Sequence, residues 1–167
     1  MGACIGKRRH ASQESQLLDE PYFRLLEALA QGVHGMDPAA FRRAQTLEVR
    51  GRRIDFFLER DLHDRAEDRI VLRCDVTHLP TGAPERLCRL LLHANNLWSG
   101  TRGATLGLRG EEAVMLSVAA RVGSLDAARL ATAITGLLRQ AERWTEEIAR
   151  SARSAPDAPP HSLHLRA

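Results

Sequence analysis

The stretch from Pro84 to Trp98 constrains the fold more than any other part of the sequence. Pro84 suits the first turn of a helix, and the apolar side chains that follow recur at helical spacing. They cover about 220° of a helical wheel, far more than a helix packed on one side requires. The apolar positions are Leu87, Cys88, Leu90, Leu91, Leu92, Ala94, Leu97 and Trp98. We therefore expect this helix to be buried on two sides, by its own sheet and by something else.

Segments with the two-residue period of β-strands lie on both sides of this helix along the chain. Leu47 and Val49 alternate with polar neighbours, and Gly51 then precedes a strand that contains Ile54, Phe56 and Leu58. Residues 70–76 alternate in the same way, and residues 104–108 and 114–118 predict a second hairpin.

Helical spacing appears again at both ends of this region. The first helix has the stripe Leu18, Tyr22, Leu25, Leu26, Leu29 and Val33, and a turn follows around Asp37 and Pro38. Ser124 is predicted to cap a long last helix, whose stripe is Leu130, Ala131, Ile134, Leu137, Leu138, Ala141, Trp144 and Ile148. The order is α-βββ-α-ββ-α, which predicts an α+β fold with helices on one side of a mostly antiparallel sheet.

The net charge of the 167 residues is +3, but it is unevenly distributed. Residues 1–12 carry Lys7, Arg8 and Arg9 without an acid, residues 151–167 carry +1, and residues 13–150 carry −1. We predict a flexible basic arm at 1–12, one domain at 13–150, and a disordered tail rich in Pro, Ala and Ser at 151–167.

The basic ends leave one alternative function open, that of a nucleic-acid-binding or regulatory module. No run approaches the roughly 20 apolar residues of a membrane span, so no membrane partner is expected.

Candidate catalytic and metal-binding groups are sparse. Cys74 and His78, followed by Cys88 and His93, are residue types that zinc accepts, although their spacing matches no compact zinc motif. Both cysteines fall on apolar faces, where free cysteine behaves as a small hydrophobic residue. We predict no catalytic residues, no metal site and no cofactor.

Apolar surface, rather than reactive groups, is in excess. The first helix and the middle helix carry more apolar residues than one packing face needs, and Phe56 and Phe57 place aromatic rings on both faces of one strand. These surpluses indicate a subunit interface together with a groove for a partner.

Three blocks of the sequence resemble the small specific chaperones of bacterial type III secretion systems, the class I or Tir-chaperone-like group. They are residues 23–30 of the first helix, residues 90–98 (LLLHANNLW) with 103–108 (GATLGL), and the end of the last helix at 141–144. The resemblance covers about residues 21–150. It implies a non-catalytic homodimer in the bacterial cytoplasm. It also implies a chaperone that binds the N-terminal segment of a secreted effector, keeps it extended and delivers it to the export apparatus or its ATPase.

The resemblance also assigns roles to residues. It places Cys88, Leu92, Asn95 and Asn96 at the dimer interface, where the two asparagines would pair with each other or with backbone across the two-fold axis. It places Leu25, Leu29, Val49, Phe56, Phe57 and Leu58 in effector-binding grooves.

Overall fold

The computed structural model describes residues 20–79, 85–96 and 100–153. They form one five-stranded antiparallel sheet, in the order β1-β2-β3-β5-β4, with helices packed against it. The strands are β1 (Thr46–Val49), β2 (Arg52–Glu59), β3 (Arg69–His78), β4 (Thr105–Arg109) and β5 (Ala113–Arg121). The helices are α1 (Glu20–Gln31), α2 (Pro38–Ala44), α3 (Glu85–Asn95) and α4 (Ala127–Arg153), with short 3₁₀ turns at Arg65–Glu67 and Val122–Ser124. The predicted α+β class and the order of its long elements are confirmed.

The side chains of β3 alternate strictly between the two faces of the sheet, so one face is apolar and packs against the helices. The core lies between this face and the helices. Ile70, Leu72, Cys74 and Val76 point to the helix side and are buried, whereas the residues between them are only partly buried. Seven residues of the predicted stripe of α4 fill the space opposite these side chains, namely Leu130, Ile134, Leu137, Leu138, Ala141, Trp144 and Ile148. The opposite face of the sheet is therefore the more exposed one.

A β-bulge between Asp75 and Thr77 lies where α4 is hydrogen-bonded to the sheet. The bulge leaves backbone carbonyls outside the ladder, and Arg52 of β2 donates to the carbonyl oxygens of Asp75 and Val76 at 3.0 and 2.7 Å. The same guanidinium donates to Thr145 Oγ1 of α4 at 2.9 Å. One arginine thus ties two strands to the last helix.

Helix α2 stands where the sequence predicted a turn. Asp37 caps it by accepting a hydrogen bond from the Ala39 amide at 2.9 Å, and Pro38 occupies the first turn. Phe41 is buried and meets the ring of Phe56 edge-on at 5.2 Å between centroids. The turn prediction was wrong because an Asp-Pro pair serves equally as a turn and as a helix start, and seven residues are too few to show a helical period.

The start of α4 also differs from the prediction. Ser124 lies in the preceding 3₁₀ turn, where its hydroxyl donates to the carbonyl oxygen of Arg121. Asp126 caps the helix instead, accepting from the Arg129 amide at 2.8 Å.

At its other end α4 runs to Arg153, so the first three residues of the predicted tail are helical. The predicted arm at 1–12 and the rest of that tail lie outside the described residues.

Candidate partner-binding groove and subunit interface

An apolar groove of about 590 Å³ lies beside β1, which is one edge of the sheet among the described residues. Helix α1 and the loop after it form one wall, and α4 forms the other. Its apolar lining consists of Leu29, Val33, Met36, Leu47, Val49, Ala131, Ile134 and Leu138. A groove with an edge strand on its border offers both apolar contact and unpaired main-chain groups to an extended peptide.

Strand alternation explains how β1 contributes to the groove. Leu47 and Val49 are two residues apart, so both point to the same side, and both are only partly buried. Glu48 between them, Arg50 and Arg139 supply charge to the lining. Arg50 also reaches Glu142 of α4 in a loose ion pair of 3.6 Å. The groove is therefore apolar at its centre and mixed in charge at its rim.

The six residues predicted to bind an effector do not lie together. Leu29 and Val49 line the groove beside β1. Leu25 and Phe56 are buried in the core of the single chain and do not line this groove, although Phe56 borders another cavity of about 280 Å³ together with Phe57. Leu58 lines a further, smaller cavity near the start of α1.

Phe57 points to the face of the sheet opposite the core. Its side chain is 41% exposed, and the guanidinium of Arg73 lies over the ring at 4.8 Å from the centroid.

Near Phe57 on the same face, Asp55 is buried and accepts from Arg53 Nε at 2.7 Å and from the Thr46 hydroxyl at 2.9 Å. The hydrogen bond and the negative charge of Asp55 raise the pKa of Arg53.

The middle helix α3 has one buried face and one exposed face. Leu87, Leu91 and Ala94 are buried in the core, while Cys88 is exposed and Leu92 is 71% exposed. Helix α3 packs against β4, on which Leu108 is 49% exposed. The core of this chain thus covers one part of the wide apolar surface that the sequence predicts for α3, and the other part is exposed.

Asn95 and Asn96, the remaining residues assigned to the dimer interface, follow at the end of α3. Asn95 is half-buried and forms two hydrogen bonds to the backbone of Leu106 in β4 within its own chain. Asn96 is exposed. The amide of Asn95 is therefore already satisfied without a second copy.

Sequence reasoning missed most of the groove lining. The sequence places Val33, Ile134 and Leu138 in helical stripes and carries no signal for Met36, although all four line the groove. A stripe shows which side of a helix is apolar, but not which of its residues also border a groove. The alternation of Leu47 and Val49, before a glycine at position 51, was the one signal for an apolar strand at this edge.

The described residues contain no group of three or more His, Cys, Asp or Glu side chains arranged to hold a metal ion. Cys74 is fully buried, and desolvation raises the pKa of its thiol to about 11, so it is a poor nucleophile and a poor ligand. Among the helices that the structure describes, none is long and apolar enough to cross a bilayer.

The fold defines a small α+β protein with an apolar groove on the border of an edge strand. The family model of the Tir chaperone protein (CesT) family matches residues 62–145, half of the chain, and the protein belongs to this family. The family resemblance read from the sequence is thereby confirmed. No curated protein matches the chain significantly.

Two solved structures share the fold at low sequence identity. A chain of the ExsC–ExsE complex is 19% identical, with 78% of this chain and 96% of that chain covered and a TM-score of 0.62. A chain of the HopA1–SchA chaperone–effector complex is also 19% identical, with 78% and 97% covered and a TM-score of 0.55. At this identity the likeness establishes the fold.

Proposed function

We propose that the protein is a chaperone of a bacterial type III secretion system that binds the N-terminal segment of a cognate effector and keeps it extended. The observation that carries the proposal is the apolar groove on the border of an edge strand, between α1 and α4. Membership of a chaperone family and the shared fold of a chaperone–effector complex support it.

The groove suits an extended segment for a physical reason. A peptide that lies along β1 would form main-chain hydrogen bonds with the strand edge, whatever its sequence. Its alternate side chains would point into the groove, where Leu47, Val49 and Ile134 provide apolar contact. Such binding orders the peptide without folding it into a core, which is the state that export through a narrow channel requires.

We propose further that the chaperone is a homodimer joined through the exposed face of α3. Cys88 and Leu92 lie on this face, and Leu108 lies on the strand against which α3 packs. An apolar helix face of this kind is buried efficiently by the same face of a second copy around a two-fold axis. The dimer would act in the bacterial cytoplasm and hand its effector to the export apparatus or its ATPase, with no reaction of its own.

The test of effector binding uses two matched variants. Val33→Asp places a carboxylate on the exposed wall of the groove, and Leu62→Asp places one on an exposed leucine outside it. The tagged wild-type chain is used to capture proteins from its native bacterium, and the N-terminal segment of a captured secreted protein is then titrated calorimetrically. Wild type and Leu62→Asp should bind the segment alike, and Val33→Asp should bind at least tenfold more weakly, because burying an unpaired charge opposes binding.

Two results would contradict the proposal. One is that no protein secreted by the type III system is captured. The other is that Val33→Asp binds the segment as tightly as Leu62→Asp while circular dichroism shows both folded. The nucleic-acid alternative predicts instead that DNA binds and that its affinity falls steeply with salt. The basic residues behind that alternative, Lys7, Arg8 and Arg9, lie outside the described residues.

A further inference from the structure

The main-chain groups of β1 alternate between its two sides, and this alternation shows which of them face away from the sheet. The Phe56 amide donates to the carbonyl oxygen of Gln45, directly before β1, at 2.9 Å, so these residues form a hydrogen-bonded pair of the antiparallel ladder. Such pairs recur at every second residue, so the odd-numbered residues of β1 bond to β2. The N–H and C=O groups of Thr46 and Glu48 therefore point to the open side of the strand.

The turn after β1 agrees with this assignment. Arg50 and Gly51 both have positive φ angles, 53° and 71°, as a type I′ turn of two residues requires. Such a turn closes on a hydrogen-bonded pair, which here is formed by Val49 and Arg52. The tight hairpin holds β1 in place, so a partner would meet an edge that is already formed.

The side chains of β1 alternate between the two faces of the sheet. Leu47 and Val49 point into the groove, so Thr46 and Glu48 point to the outer face, which is the face opposite the core. The outer face also has room for side chains beside Thr46. A cavity of about 280 Å³ there is lined by Ala44, Gln45, Thr46, Arg53, Asp55, Phe56 and Phe57. A segment paired with β1 would therefore place alternate side chains in the groove and on the outer face.

The carboxylate of Glu48 is unpaired on the outer face. Its cross-strand neighbour is Arg53, but the Nε of Arg53 donates to buried Asp55 of its own strand at 2.7 Å. Glu48 is exposed and forms no hydrogen bond or ion pair with another residue that the structure describes. An opposite charge on the next strand would stabilise the pairing of the two strands, and a like charge would oppose it.

We propose that the segment bound along β1 carries a basic residue between two apolar residues, and that Glu48 selects the basic residue. This inference rests on the proposed function, since it concerns the same groove. The two apolar side chains would lie beside Leu47 and Val49, and the lysine or arginine would lie opposite Glu48 on the outer face. The pattern reads the same in both directions, so it holds for parallel and antiparallel pairing.

The first test selects peptides on the folded protein and needs no identified effector. A displayed library of short peptides has one randomised residue between two fixed valines, and it is selected on wild type, Glu48→Arg and Glu111→Arg. Glu111 is exposed in the turn between β4 and β5, so the control changes the net charge equally at the far side of the sheet. Wild type and Glu111→Arg should enrich lysine and arginine, whereas Glu48→Arg should enrich aspartate and glutamate.

Calorimetric titration then measures the size of the preference. One enriched peptide is compared with its counterpart that has glutamate in place of the basic residue. Wild type should bind the acidic peptide about fivefold more weakly than the basic one, and the order should reverse on Glu48→Arg. Circular dichroism checks that each variant is folded, which the exposure of Glu48 favours.

The outcomes separate this proposal from the proposed function. Selection by wild type without a preference for basic residues would overturn the role of Glu48, and so would the same preference on Glu48→Arg. Both results would leave peptide binding in the groove intact. Equal enrichment of peptides on wild type and on Val33→Asp would instead show that the groove does not bind them, which would overturn both proposals.

Discussion

The side-chain amide of Asn95 forms two hydrogen bonds with the backbone of Leu106, its Nδ2 donating to the carbonyl oxygen and its Oδ1 accepting from the amide nitrogen, each at 2.9 Å. Leu106 belongs to β4, an edge of the sheet among the described residues. The asparagine therefore occupies the position that the backbone of a further strand would take. It joins the end of the middle helix to the sheet and protects part of that edge from pairing with another chain.

Replacing Asn95 by alanine should destabilise the fold. The change removes both hydrogen bonds at a half-buried position, so we expect the free energy of unfolding to fall by about 1–3 kcal/mol. The melting temperature should drop by several degrees, whereas His93→Ala, at an exposed position of the same helix, should melt like wild type. Equal melting of the two variants, together with loss of the proposed dimer only in Asn95→Ala, would show that Asn95 acts at the subunit interface rather than in the fold.

Most of the sheet could be predicted because its strands keep a strict period. The alternation at 70–76 predicted four inward side chains, and all four are buried. Periodicity could not show the bulge between Asp75 and Thr77, since one extra residue in a strand leaves no mark in the sequence that differs from ordinary variation. It also could not show α2, which is only two turns long.

The site was harder to predict than the fold for a related reason. Alternation places Phe56 with Ile54 and Leu58 on the apolar face and Phe57 on the opposite face, but it does not tell how much of the Phe57 ring stays exposed. In the structure Phe41 of α2 packs against Phe56, whereas the Phe57 side chain is 41% exposed. The groove beside β1 depends in the same way on how far α4 stands from α1, a distance that no single segment encodes.

The buried thiol of Cys74 should make stability depend on pH in the alkaline range. Burial raises its pKa from 9.0 to about 11, with Asp75 adding to the rise and Arg52 opposing it. Because the pKa is higher in the folded state, the folded chain holds the proton more tightly than the unfolded chain does. The resulting stability is complete below pH 9 and is lost as the pH rises towards 11.

Urea unfolding at several pH values checks this prediction. Between about pH 8 and pH 10 the free energy of unfolding of wild type should fall by about 1–2 kcal/mol more than that of Cys74→Ala, which has no thiol at this position. The exposed Cys88 is present in both proteins and cancels in the comparison. An identical pH dependence of the two proteins would show that ionisation of Cys74 is not linked to unfolding.

Leu92→Asp should convert the proposed dimer to a monomer. The substitution places a charge on the exposed apolar face of α3, where a second copy would have to bury it. Leu62→Asp is the matched control, since it makes the same change at an exposed leucine away from α3 and should leave the dimer intact. Sedimentation equilibrium measures both. A Leu92→Asp protein that sediments as wild type, or a wild-type protein that is monomeric at high concentration, would exclude this interface.

Phe56 and Phe57 offer an internal comparison between core and surface. Phe56→Ala removes a buried ring that contacts Phe41, so it should cost about 3–5 kcal/mol of folding free energy. Phe57→Ala removes a ring that is half exposed and contacts Arg73, and should cost about 1 kcal/mol. If effectors also use the outer face of the sheet, Phe57→Ala should weaken binding of the effector segment more than it weakens the fold. Thermal melts and calorimetric titrations of the same preparations measure both quantities, and a Phe57→Ala protein that unfolds as readily as Phe56→Ala would make Phe57 a core residue instead.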